Sequence, residues 1–179
     1  MKPFNIMKKI VVLFTVIAAV STWVVATAQK ESEKAATKPA TKSAASEHKI
    51  VTPGELQWGD APPGLPAGAK MAVLDGDPNQ RGSFTVRLKA PAGYKILPHT
   101  HPTAERVTGI SGTARLGMGE KFADATAREV AAGTFAVLPA NTAHFASFPD
   151  ESVIQIQSEG PFQIKYVNPA DDPRNAKKQ

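Results

Sequence analysis

The chain has 179 residues, a formal net charge of +5 and no cysteine. That length favours a single folded domain, and the missing cysteine excludes disulfides, thiolate metal sites and a cysteine nucleophile. Many lysines sit near the ends (Lys2, Lys8, Lys9, Lys30, Lys34, Lys38, Lys42, Lys177, Lys178), so no basic patch on a folded face speaks for nucleic-acid binding.

Lys8 and Lys9 precede an apolar run, Ile10 to Val25, and Ala26-Thr27-Ala28 offers the small-x-small pattern of a signal-peptidase site. Residues 1–28 therefore read as a Sec-type signal peptide, cleaved after Ala28, that sends the chain to the periplasm or the medium. Removing Lys2, Lys8 and Lys9 leaves a net charge of +2. The alternative is a retained anchor, because Ile10 to Gln29 is an uncharged stretch of 20 residues, long enough to span a bilayer. Membrane association is expected only in that case. Residues 29–48 are rich in Ala, Lys, Thr, Ser and Pro. They have too little apolar surface to offset chain entropy and read as a disordered linker, with His48 a solvated residue at its end.

Residues 49–168 read as the folded domain. Lys70 to Asp75 is a strand closed by the turn cluster Asp75-Gly76-Asp77-Pro78-Asn79. Ser83 to Lys89 alternates, with Phe84, Val86 and Leu88 on one face and Thr85 and Arg87 on the other. After the turn Pro91-Ala92-Gly93, strands are expected at Ile96 to His101, Glu105 to Ser111 and Thr113 to Met118. Asp124 to Val130 is expected as a short helical turn capped by Asp124. Strands at Phe135 to Leu138, His144 to Phe148, Val153 to Gln157 and Phe162 to Val167 complete the domain, and 169–179 reads as a frayed tail. Many short strands with regular turn signals and almost no helix indicate an all-β sandwich or barrel.

Three of the four histidines fall in this strand-rich region. Side chains at i and i+2 of a strand share a face, so His99 and His101 present their imidazoles together. Glu105 follows the Pro102 break at the head of the next strand. His144 comes from another strand, behind the turn at Pro139 to Ala143. Three neutral nitrogens and one carboxylate suit a divalent ion and leave positions open on an octahedral one. The ordinary alternative is a His-x-His pair on a solvated strand face that binds nothing.

With its flanking glycines, this array resembles the first cupin motif: Gly93, His99, His101, Glu105 and Gly112 match at every position and spacing. The second motif is matched by Gly133, Pro139 and His144. Asn141 stands where the family has an inner glycine, a replacement that left-handed turn geometry tolerates. Phe148 stands where it has a final Asn, which puts any role of that polar group in doubt. The likeness extends over roughly Ile50 to Val167, and the segments Asp75 to Asn79, Gly117 to Phe122 and Val167 to Pro173 look similar to those of a group of small exported bacterial cupins. It implies an all-β, cupin-type double-stranded β-helix (jelly-roll) barrel. It also implies one divalent metal (Fe, Mn, Zn, Ni or Cu) held by His99, His101, Glu105 and His144.

The family spans dioxygenases, oxalate-degrading enzymes, isomerases and barrels that only bind or sense a ligand. The expectation is a metal-dependent, dioxygenase-like enzyme acting on a small organic molecule, with Glu105 able to take a proton. The alternative is a non-catalytic metal- and ligand-binding or sensing module. Arg87, Gln155 and Gln157 are candidate pocket residues, weighed against a solvated strand face. Phe135, Phe145, Phe148 and Phe162 read as packing. A homodimer is expected only by analogy with other cupins.

Overall fold

The computed structural model describes residues 48–175. The expected signal peptide, its cleavage site, linker residues 29–47 and the final residues 176–179 lie outside the described residues. The strands are β1 (Gly59–Asp60), β2 (Lys70–Asp75), β3 (Gly82–Ala90), β4 (Tyr94–Thr100), β5 (Glu105–Ser111), β6 (Thr113–Met118), β7 (Arg128–Ala131), β8 (Phe135–Leu138), β9 (His144–Phe148), β10 (Ser152–Gly160) and β11 (Lys165–Tyr166). They form two antiparallel sheets, ordered β1-β2-β3-β10-β5-β8 and β11-β4-β9-β6-β7. From β3 onward the chain changes sheet at every connection except β6 to β7, which winds the sheets together as a jelly roll.

Alternation along each strand becomes burial. Phe84, Val86 and Leu88 of β3 turn inward, as do Ile154 and Ile156 of β10. They meet Tyr94 and Ile96 of β4, Leu116 of β6 and Phe148 of β9 from the other sheet. Each large apolar side chain removed from water contributes about 1.5–3 kcal/mol. Phe148 packs edge-on against Tyr94, with centroids 5.9 Å apart, so its place in the motif is a core position.

Two turns show why small residues recur at the motif ends. Gly112 has φ +67°, and a Cβ there would run into the Glu151 carbonyl. Asn141 has φ +57°, the left-handed conformation that Asn adopts more readily than other residues bearing a Cβ. Its N–H donates to the His101 carbonyl at 2.8 Å, which ties this turn to the end of β4.

Three local expectations differ from the structure. The region 162–167 is a strand only at Lys165–Tyr166, because Pro161 lacks an N–H and Phe162 N bonds Pro78 O at 2.7 Å instead of a ladder partner. The helical turn at 124–130 shrinks to a 3-10 turn, Asp124–Thr126, followed by β7. Ala123 holds the capping position, since the Asp124 carboxylate accepts from Ser147 Oγ and pairs with Arg115 at 3.5 Å. Residues 169–175 are not frayed: they form two 3-10 turns, Pro169–Asp171 and Pro173–Asn175. Asn168 caps the first, and Arg174 Nη2 donates to Ile164 O at 2.9 Å.

Candidate metal centre

His99 lies near the end of β4 and His101 just after it. Plain alternation from the buried Tyr94 and Ile96 would turn Pro98 and Thr100 inward and leave both histidines facing out. A bulge prevents this. Ile96 pairs with Ala146, yet His99 pairs with His144, so three steps on β4 span two on β9. Pro98, which has no N–H to give the ladder, lies in the bulge. The extra residue shifts the phase of the strand, and His99 and His101 face the interior with Ile96. Glu105 opens β5 in the opposite sheet. His144 opens β9.

The structure brings all four together. One imidazole nitrogen from each of His99, His101 and His144 lies within 4.8 Å of the others. Glu105 Oε2 is 3.6 Å from His101 Nε2 and 3.3 Å from His144 Nε2. All four residues are buried. Each Nδ1 faces a main-chain carbonyl: Leu97 O at 2.7 Å from His99, Gln163 O at 2.7 Å from His101, and Thr142 O at 3.0 Å from His144. A carbonyl only accepts, so each Nδ1 carries the proton and each Nε2 of a neutral ring keeps its lone pair. Phe162 stacks on His101, with centroids 4.1 Å apart and planes inclined by 18°. Residues 162–163 thus clamp that ring from the face and the edge.

Electrostatics keep the cluster ready for a cation. Burial, helped by the neighbouring His144 and His101, pushes the His99 pKa down to about 3. Burial also lowers that of His101, against the opposing pull of Glu105. Burial alone would raise the Glu105 carboxyl, but contact with His144 and the proximity of His101 and His99 outweigh it and hold Glu105 below the usual carboxylate range. The result is a buried carboxylate beside two imidazoles, His99 and His101, that prefer to be neutral. His144 Nε2 is buried without a hydrogen-bond partner, since its approach to Glu105 lacks hydrogen-bond geometry. Such an orphan costs about 1–3 kcal/mol. A divalent ion would satisfy it and balance the buried negative charge, so the donor set fits the metal that the sequence implies.

Beside the centre lies an open cavity of about 410 Å³ with a mostly apolar lining, which includes Phe84, Val86, Leu88, Ile96 and Ile156. His99, His101 and Glu105 form part of its wall.

The other expected pocket residues are elsewhere. Arg87, Gln155 and Gln157 do not line the cavity. Val86, Leu88 and Ile156 take the inward positions, so the alternate residues face outward, where Arg87 Nε donates to Gln155 Oε1 at 3.3 Å and Gln157 is exposed. Phe135, expected as packing, is exposed instead. Sequence reasoning missed Arg174, which lines the cavity from the C-terminal turns. It also missed the Gln163 carbonyl that fixes His101, a main-chain group with no signal in residue type.

Residues 25–165 match the family described as Domain of unknown function (DUF4437). The chain belongs to the DUF4437 family. No curated protein matches it. Among solved structures, this DUF4437 protein is similar to an acetylacetone dioxygenase from Acinetobacter johnsonii, at 18% identity over 74% of this chain and 85% of that one, with a TM-score of 0.57. It is also similar to the polyketide cyclase RemF from Streptomyces resistomycificus, at 15% identity over 71% and 90% of the two chains, with a TM-score of 0.57. An RmlC-like cupin from Shewanella frigidimarina matches at 16% identity over 64% and 91%, with a TM-score of 0.49. At these identities the likeness is one of fold. The barrel has the cupin-type double-stranded β-helix fold, and its buried His99, His101 and His144 form a group able to hold a metal ion.

Proposed function

We propose that this chain is an exported, metal-dependent cupin enzyme, dioxygenase-like, that acts on a small and largely apolar organic molecule. The observation that carries the reading is the junction of two features: three Nε2 lone pairs and a carboxylate converge at the wall of an open apolar cavity. A purely structural ion would need no cavity beside it. His99, His101, His144 and Glu105 would hold the metal, which supplies Lewis acidity and open coordination positions when bound. The carbonyl bonds at each Nδ1 keep the rings aimed, and the apolar wall excludes water from the bound organic molecule. Glu105 is the one acidic side chain that lines the cavity among the described residues, so it is the group placed to accept a proton. The fold of an acetylacetone dioxygenase and a polyketide cyclase supports an enzymatic use of such a barrel. Export rests on Lys8, Lys9, the apolar run to Val25 and the Ala26-Thr27-Ala28 site.

The test begins with elemental mass spectrometry of the purified protein and its His101→Ala variant. The reading expects about one metal per chain, lost in the variant. Dioxygen uptake by the iron(II)-loaded protein over β-diketones, phenols and keto acids then decides on turnover. A second reading, a non-catalytic metal- and ligand-binding module, is favoured by one observation: apart from the metal-site residues, no side chain suited to acid or base work at neutral pH lines the cavity among the described residues. Tight ligand binding without turnover would select it.

A further inference from the structure

One charged side chain lines the cavity without belonging to the metal centre. Arg174 sits on the last 3-10 turn and is half-exposed. Its guanidinium has five N–H groups. Nε donates to Asp172 Oδ1 at 2.8 Å, and Nη2 donates to Asp172 Oδ2 at 2.6 Å and to Ile164 O at 2.9 Å. These bonds fix the plane of the group. Nη1 and both its hydrogens have no protein acceptor among the described residues.

The wall around it is also fixed. The segment Pro62 to Pro66 is held against the barrel by two tyrosines: Tyr166 Oη donates to Gly64 O at 2.9 Å and Tyr94 Oη to Pro66 O at 2.5 Å. Gly64 lets this segment come close, since a Cβ there would lie 2.6 Å from Ile164 Cγ2 and 3.7 Å from Arg174 Nη1. Arg174 is therefore an aimed donor in an otherwise mostly apolar cavity.

We propose that the cavity takes a small, mainly apolar molecule with two oxygen functions, one directed to the histidines and the other, a neutral carbonyl, amide or hydroxyl oxygen, received by Arg174 Nη1. This rests on the metal reading for the first function only. Neutrality of the second follows from Asp172. Its carboxylate already fills two prongs of the guanidinium fork, so the pair carries no net charge, and an incoming carboxylate would face a carboxylate already in place. Arg174 is thus a specificity-determining residue.

The test uses zinc-loaded protein and hydroxamic acids, which bind metal at one end. A length series from butyl to octyl tails is compared with methyl, amide and carboxylate tips, by calorimetry. At one tail length the amide-tipped compound binds about tenfold tighter than the methyl-tipped one, as expected of one hydrogen bond to a charged donor. In Arg174→Gln the amide-tipped compound binds no tighter than the methyl-tipped one, while circular dichroism and the melting temperature show that the barrel is still folded. A preference that persists in Arg174→Gln, or is absent at every length, overturns the inference while both compounds still need His101. A carboxylate tip that clearly outbinds the amide overturns the neutral class. Hydroxamates that fail to bind, or bind equally to His101→Ala, overturn the metal reading and this inference with it.

Discussion

When neutral, each imidazole of the centre gives its one proton to a main-chain carbonyl, so the Nε2 atoms are left as acceptors or ligands. Glu105 is the charged member of the set, and its removal separates charge from shape. Glu105→Gln keeps the side-chain volume but takes away the anion that offsets a divalent ion. Its expected effect is at least a tenfold loss of metal affinity, read by competition with a chromophoric chelator, with the barrel still folded by circular dichroism. The same groups set the acid response of the metal-free protein. His99 is neutral in both folded and unfolded chains above its ordinary pKa of 6.5. Between 6.5 and about 3 the unfolded chain binds a proton at this residue that the folded chain refuses, so stability falls as pH falls. Glu105 acts in the same direction at lower pH: its folded carboxyl is held below 4.5, so the stabilisation it gives above that value is lost on acidification. Urea unfolding of the metal-free protein should show stability declining from pH 7 to 5, by up to about 1.4 kcal/mol per pH unit for one proton. A flat profile over that range would mean that His99 is not shielded as its burial implies.

Strands and turns carry the next level of explanation. The alternation in Ser83 to Lys89 marked β3 correctly because one face of that strand is buried and the other is not. The motif spacing brought His99, His101, Glu105 and His144 to one place because strand, turn and strand lengths fix where their side chains emerge. The inward aim of His99 and His101 was less legible, since it depends on a bulge against β9, a pairing between distant segments. Arg87, Gln155 and Gln157 share one outer face, and polarity alone could not say whether that face met ligand or water. Arg174 was invisible for another reason: its role comes from contacts with Ile164 and Asp172 and from its nearness to Gly64, in stretches with no strand or helix period. Asn141 offers a test at this scale. At φ +57° a side chain of ordinary type is strained by about 1–2 kcal/mol. Asn141→Ala should destabilise by that amount in chemical denaturation, whereas Asn141→Gly should cost little. Equal losses from both substitutions would locate the role of Asn141 in its side chain instead of its backbone.

At the scale of the whole barrel, the two sheets are joined by an apolar core, with no disulfide to help, and the candidate metal centre lies between them. The ligands come from both sides: His99 and His144 belong to strands of one sheet, Glu105 to a strand of the other. A bound ion would therefore bridge the sheets and stabilise the folded state by mass action. At free metal one hundred times the dissociation constant, that gain is about 2.7 kcal/mol. For a domain of this size it corresponds to roughly 5–10 °C in melting temperature. Stripping the ion with excess chelator should produce a drop of that order, with the metal-free barrel still folding cooperatively on its hydrophobic core. In Glu105→Gln the drop should be much smaller, because the bridge to the second sheet is weakened before chelator is added. Arg174→Gln should show the full drop, since Arg174 touches the cavity and not the ion. If the wild-type melting temperature stayed fixed while elemental analysis showed the metal gone, the ion would be held no more tightly by the folded chain than by the unfolded one, and the four side chains would not be a metal site of the folded barrel.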